Sequence, residues 1–228
     1  MKKITQTALV LFLLLSGSRY SSAQESSRLL PQGKVVFEVS YPNSKLDQQT
    51  MAMMPTESVL YFKGNLSRME LNLGMGSTVV ITDHKLGEST MLMEMLGNKT
   101  AVRSTRLDAA AERATGDKPT VEFKPDTKSI AGYTCKHAVV SSKGRDSNNS
   151  TYDVWYTTEM MARNSFQSEI EGIDGFMMEF QTEQNGVEMK MTVKNVIEVT
   201  VDDSKFITPE GYTEMTKEQL RQLYGGGK

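Results

Sequence analysis

The sequence predicts a mainly β protein of the α+β kind: a curved antiparallel sheet with helices covering its concave face and a short helix at the C-terminus. Three observations lead there. Apolar and polar residues alternate almost everywhere after residue 32. Gly, Asn and Asp punctuate these runs at the spacing of hairpin turns, and period-two patterning broken in this way marks antiparallel strands. Good helix formers are confined to a few short stretches. A closed barrel is the alternative arrangement of the same strands.

The elements follow in order. Val35, Phe37, Val39 and Tyr41 share one face of a first strand that stops at Pro42-Asn43. Residues 57–63 form a second strand, and Gly64-Asn65 turns the chain into a third at 66–73. There Met69, Leu71 and Leu73 oppose Arg68, Glu70 and Asn72. Gly74 and Gly76 introduce 77–83. Residues 88–96 and 99–104 read as a hairpin around Gly97-Asn98. Later strands are expected at 119–123, 128–141, 150–157, 175–183 and 186–201. Helix is expected at 106–114, and 159–170 reads as a short helix with loop. The C-terminal helix has the clearest signature, since Thr216 stands three residues before Gln219, the spacing of a capping box. Leu220 and Leu223 then share a face, and the glycines from Gly225 end the helix.

The N-terminus reads as an export signal over residues 1–23. Lys2 and Lys3 precede the apolar run Ala8 to Leu15, and Ser21-Ser22-Ala23 supplies a small-x-small cleavage site. Eight apolar residues are too few to span a bilayer, which takes about 20. Residues 24–228 are then expected to form a single domain in the periplasm or outside the cell. Removing Lys2, Lys3 and Arg19 leaves 23 basic against 28 acidic side chains, a formal charge of −5. That balance argues against nucleic acid as a partner, because phosphate binding needs a basic face. The lone Cys135 has no intramolecular disulfide partner and reads as a small core residue.

Signatures of catalysis are poor. His84 and His137 are the only histidines and are not at metal-ligand spacing. There is no nucleophile elbow, no zinc-protease helix motif and no glycine-rich phosphate loop. Asp202 with Asp203, and Glu169 with Glu171, read as solvated faces. No catalytic residue, metal ligand or cofactor is expected, and the chain is not expected to be an enzyme.

The 16 methionines are the distinctive content. Met91, Met93 and Met95 share one face of their strand against Leu92 and Leu96. Met189 and Met191 share a face with Val187 and Val193, and Met178 lies in phase with Phe176 and Phe180. Rows that mix Met with Val and Phe suit a core or a pocket wall better than a copper site, which needs only two to four converging sulfurs. An unbranched thioether adapts to ligands of varied shape. Candidate ligand-binding residues are therefore Met91, Met93, Met95, Phe176, Met178, Phe180, Met189 and Met191. Met51-Ala52-Met53-Met54-Pro55 reads as a loop or lid, because Pro55 and the polar run before it break any strand.

The second half carries a resemblance. Ile130-Ala131-Gly132-Tyr133-Thr134-Cys135, then Trp155-Tyr156-Thr157, then Gly172-Ile173-Asp174-Gly175-Phe176-Met177-Met178-Glu179 resemble the I-x-G-Y-x-C, W-Y-T and G-L-P-G-L-I-L-E series of the GLPGLI-type envelope proteins of unknown function. The chain departs at the namesake motif, with Ile-Asp for Leu-Pro and Phe-Met-Met for Leu-Ile-Leu, which points to a sister family. The ending from Asp203 through Phe206 to Pro209-Glu210-Gly211-Tyr212 is similar to the last strand of the LolA/LolB-like superfamily. That resemblance implies an unclosed barrel, strongly curved, with helices plugging its apolar side. It implies a cavity for lipoprotein acyl chains and no catalytic residue. Gly132 and Gly172 read as strand-end positions with positive φ, and Trp155 as a core anchor.

The expected function is an exported, non-enzymatic binding protein holding a hydrophobic ligand, a lipid or lipoprotein acyl chain, in a Met-rich concave sheet. The rivals are a periplasmic protein binding Cu(I) through Met-x-Met, and a structural or interaction module with no small ligand.

Overall fold

The computed structural model describes residues 29–42, 44–108, 111, 118–143, 149–164, 170, 172–184 and 187–224. The expected export signal, Glu169, Glu171 and most of the helix expected at 106–114 lie outside them; 106–108 and 111 are helical.

Twelve strands build one sheet. They are β1 (Gln32–Ser40), β2 (Glu57–Lys63), β3 (Leu66–Leu73), β4 (Gly76–Asp83), β5 (Glu88–Met95), β6 (Asn98–Ser104), β7 (Thr120–Ile130), β8 (Tyr133–Lys143), β9 (Asn149–Thr157), β10 (Phe176–Gln184), β11 (Val187–Ile197) and β12 (Thr213–Met215). Their order is β12-β6-β5-β4-β3-β2-β1-β11-β10-β9-β8-β7, so the sheet is two meanders joined where β1 pairs with β11. It is large, curved and unclosed, with β12 and β7 at its edges. Curvature also follows from chain length. β6 and β7 lie ten strand spacings apart, roughly 48 Å along the sheet. The connection 105–119 reaches at most about 50 Å when fully extended, and part of it is helical. A flat sheet would leave it almost no slack.

The run expected as one strand at 128–141 is divided by a turn. β7 and β8 meet at Ala131-Gly132, both at positive φ (49° and 86°), with Ile130 paired to Tyr133. A two-residue turn with two positive φ values matches the right-handed twist of the strands it joins. Gly172 also has positive φ, 103°. β7 runs through an irregularity between Lys124 and Thr127, which is why its two halves read as separate runs.

Besides the helical residues 106–108 and 111, the described residues hold α1 (Gln48–Met53), α2 (Lys217–Tyr224) and a 3₁₀ turn at Asp203–Phe206. Asp47 caps α1 by accepting from the Gln49 and Thr50 amides at 3.0 and 2.9 Å. The segment expected as loop or lid is therefore helical as far as Met53. α2 carries its capping box: Thr216 N–H donates to Gln219 Oε1 at 2.8 Å, and Gln219 N–H to Thr216 Oγ1 at 3.1 Å.

Neither α1 nor the 3₁₀ turn has a buried residue, so these two elements do not fill the concave side. The main core lies on the face carrying Val35, Phe37, Leu60, Met69, Val140, Val154, Phe180 and Met191. It is closed by irregular chain. Leu30 pairs with Met160, and Met160, Ala162, Ile170 and Ile173 are buried within the same core. Asn164 anchors this strap. Its fully buried amide accepts from Met177 N–H at 2.8 Å and donates to the Met177 carbonyl at 3.3 Å.

A second core lies on the opposite face, where Val79, Ile81, Leu92 and Ala101 pack against Phe206 and Tyr212. The returning chain is pinned there. Lys63 Nζ meets Asp203 at 2.6 Å, Arg68 donates to the Lys205 carbonyl at 3.1 Å, and Lys205 sits 4.4 Å from the Tyr61 ring centre. The strand expected at 186–201 ends at Ile197, and the chain beyond it becomes this outer cover. It ends in β12, a short parallel partner of β6 that alternation did not reveal.

Replacing Asn164 by Ala leaves the Met177 amide and carbonyl buried without partners, a cost of about 1–3 kcal/mol. Urea unfolding of Asn164→Ala is expected to show a loss in that range with an unchanged slope. A variant as stable as the parent contradicts the anchor.

Candidate functional site

Directly paired residues of neighbouring strands share a face, so the register maps the sheet row by row. One row is apolar over seven strands: Val102, Met91, Val80, Met69, Leu60, Val35 and Val196, each opposite the next. The adjoining row reads Thr100, Met93, Thr78, Leu71, Ser58, Phe37 and Val193. Beyond it Met95 stands opposite Gly76, and Gly76 opposite Leu73. The face that forms the main core thus continues, still apolar, across β3, β4 and β5.

Cover continues over it only in part: Met69, Val102 and Thr100 on this face are buried, at 5%, 2% and 5% exposure, and the methionines between them are less so. On β5 the buried residue is Leu92, at 1% exposure, which points to the second core. Met91 and Met93 are half-buried and Met95 is 37% exposed. Val80, Leu71 and Leu73 are also half-buried. The eight candidate residues therefore divide. Phe176, Met178, Phe180 and Met191 are sealed in the core, at 1% exposure or less. Met189 packs at the core's margin. Met91, Met93 and Met95 form a partly open tract. The two groups are not adjacent: β5 and β11 are separated by β4, β3, β2 and β1.

One end of the tract is polar. Ser67, Thr82, Ser89 and Ser104 stand in register across β3 to β6, on the same face as the methionines. Beside Ser67 lies His84, whose Nε2 is 2.9 Å from Ser67 Oγ and whose ring also bonds to the Arg163 backbone. Burial pushes this imidazole down to about 4, and the Arg163 charge adds to the effect. The ring is neutral near pH 7.

The remaining polar residues are structural. His137 stacks on Trp155 at 4.2 Å and holds Asp126 and Asp153 at 2.7 Å from its two nitrogens. Lys128 lies 4.3 Å from the Trp155 ring centre and reaches Glu179 at 2.9 Å. Trp155 is thus at the margin of the core, half-exposed, where a core anchor was expected. Cys135 is fully buried, which pushes its thiol up to about 11. Asp202 caps the 3₁₀ turn. Among the described residues no group of three or more His, Cys, Asp or Glu side chains is placed to hold a metal ion. No described helix is long and apolar enough to cross a membrane. Two recesses, of about 650 Å³ beside Arg103, Asp108, Glu214 and Lys217 and about 290 Å³ beneath α1, both lie away from the methionine tract.

Residues 46–212 match the model of a family described as "Domain of unknown function (DUF4412)". The match gives no support to the GLPGLI name itself, in keeping with the departures at residues 172–179. No curated protein matches the sequence. Among solved structures, LprF from Mycobacterium bovis is similar with a TM-score of 0.33 and 12% identity, over 79% of this chain and 90% of that one. The LolA superfamily protein NE2245 from Nitrosomonas europaea is similar with a TM-score of 0.31 and 11% identity, over 80% and 93%. Overlap of this extent carries no argument about ligand or mechanism.

The His84 ring gives a pH test. An unfolded imidazole titrates near 6.5, and the folded one near 4. Between those values the unfolded chain binds more protons, so stability is complete above about pH 6.5 and is lost as pH falls toward 4. The slope is at most about 1.4 kcal/mol per pH unit, reduced by solvent screening at the partly exposed ring. Urea midpoints of His84→Gln are expected to fall less steeply over that window than the parent's. Parallel slopes contradict the assignment.

Proposed function

The chain belongs to the DUF4412 family, and on that premise we propose that it is a non-enzymatic binding protein of the cell envelope, exported by its N-terminal segment, that holds the apolar chain of a lipid or lipoprotein against the inner face of its sheet. The observation that carries this reading is the split of one apolar face into a filled and an unfilled part. Over β1 and β8 to β11 the protein supplies its own cover from Leu30 and the Met160–Asn164 strap. Over β3 to β5 the same face has buried Ser67, Met69 and Thr82, but Met91, Met93, Met95, Leu71, Leu73 and Val80 on it are half-buried or exposed. A tract continuous with a core, walled by flexible thioethers, favours an adaptable apolar ligand. Each acyl CH₂ buried there contributes roughly 0.8 kcal/mol, so useful affinity needs no specific polar contact. The sealed candidates Phe176, Met178, Phe180 and Met191 then serve as the floor that holds the tract in place.

Equilibrium binding of a fluorescent fatty-acyl probe tests this. Met93→Asp puts a carboxylate on the open tract and is expected to weaken binding at least tenfold while the fold survives, since Met93 is only half-buried. Met178→Asp is expected to prevent folding. Probe affinity unchanged by Met93→Asp, or no binding to the parent protein, contradicts the proposal.

A further inference from the structure

The hydroxyl row at the end of the methionine tract is out of place in an apolar face. Thr82 is 9% exposed, and its Oγ1 is buried with no hydrogen-bond partner among the described residues. Such an orphan costs about 1–3 kcal/mol, and buried hydroxyls are almost always satisfied. Its register neighbours differ in kind. Ser67 Oγ is engaged with His84 Nε2 at 2.9 Å. Ser89 and Ser104, on the other side, are half-buried, and neither hydroxyl bonds to another described residue. Three uncommitted O–H donors therefore stand side by side on β4, β5 and β6. Two side-chain charges act on the His84 end of the row, the positive one of Arg163 and, more weakly, the negative one of Asp83. From Ser89 the same face descends β5 through Met91 and Met93 to Met95, a run of roughly 20 Å at the rise of an extended strand. Donors at one end and thioethers along the length describe a site with a direction.

We propose that the row receives the head of a single-chain amphiphile whose head is an acceptor, a carboxylate or phosphate, and that the acyl chain runs down β5 from Met91 to Met95. The head's oxygens accept from Thr82, Ser89 and Ser104, and Arg163 supplies the balancing charge. The proposal rests on the apolar-ligand reading above and adds orientation and head chemistry to it. It also accounts for Thr82 Oγ1 lacking an acceptor from the protein.

The test uses the whole protein with methyl-labelled methionine and two spin-labelled stearates, nitroxide near the carboxylate or near the chain terminus. The head-proximal label is expected to broaden the Met91 methyl signal most, and the tail-proximal label the Met95 signal. The reverse order, or equal broadening of both, overturns the orientation while leaving apolar binding intact. Absence of binding by either stearate overturns both proposals. In a second measurement, the affinity ratio of palmitate to cetyltrimethylammonium, which has the same chain but no acceptor, is compared between the parent and the double variant Thr82→Val, Ser89→Ala. The ratio is expected to fall about tenfold. An unchanged ratio overturns the role of the hydroxyls.

Discussion

The structure depends on one constraint: the cross-strand register that keeps Val102, Met91, Val80, Met69, Leu60, Val35 and Val196 in a single row. Side chains alternate with a period of two, so a slip of one residue in any pairing would send that strand's whole apolar set to the other face. Short turns hold the pairings from β2 to β6 and of β7 with β8, while β1–β2 and β9–β10 are joined by long connections. β1 against β11 joins the meanders and brings Phe37 within 6.1 Å, ring centre to ring centre, of both Phe176 and Phe180. This aromatic cluster fixes the floor from which the methionine tract extends.

The same sheet is then covered on different faces at its two ends. Around β1 and β8 to β11, the Met160–Asn164 strap and Leu30 close the inner face. Around β4 to β6, the chain after Val201 closes the outer face through Phe206 and Tyr212. An antiparallel strand need bury only one side, and β5 does so, while β6 is buried on both, at Ala101 and at Thr100 and Val102. For β5 that side is Leu92's, and Met91, Met93 and Met95 are left apolar without being packed away. The outer core holds these strands without requiring the methionine side to be sealed.

The strands were legible because each obeys a local rule. β2 and β3 fall where alternation and Gly64-Asn65 put them, and the phase of every methionine row was readable. Which phase is buried was not. On β5 that is decided by Phe206 and Tyr212, about a hundred residues downstream, which no local pattern reports. Trp155 was misread for a similar reason: its partners His137 and Lys128 come from two other strands. β12 is three residues long with a parallel partner and has no room for a period. The hydroxyl row was hidden because each member is ordinary in its own strand, and only the register of four strands assembles it.

On the proposed function, the protein fills one part of its inner face and leaves the methionine tract for a ligand. Methionine oxidation by dilute peroxide, followed site by site by mass spectrometry with and without palmitate, tests this directly, because the sulfoxide forms where the thioether is accessible. Met91, Met93 and Met95 are expected to oxidise quickly in the free protein and to be protected by palmitate. Met178 and Met191 are expected to resist in both states. Protection spread evenly over all five, or slow oxidation of the Met91–Met95 tract without ligand, contradicts the account.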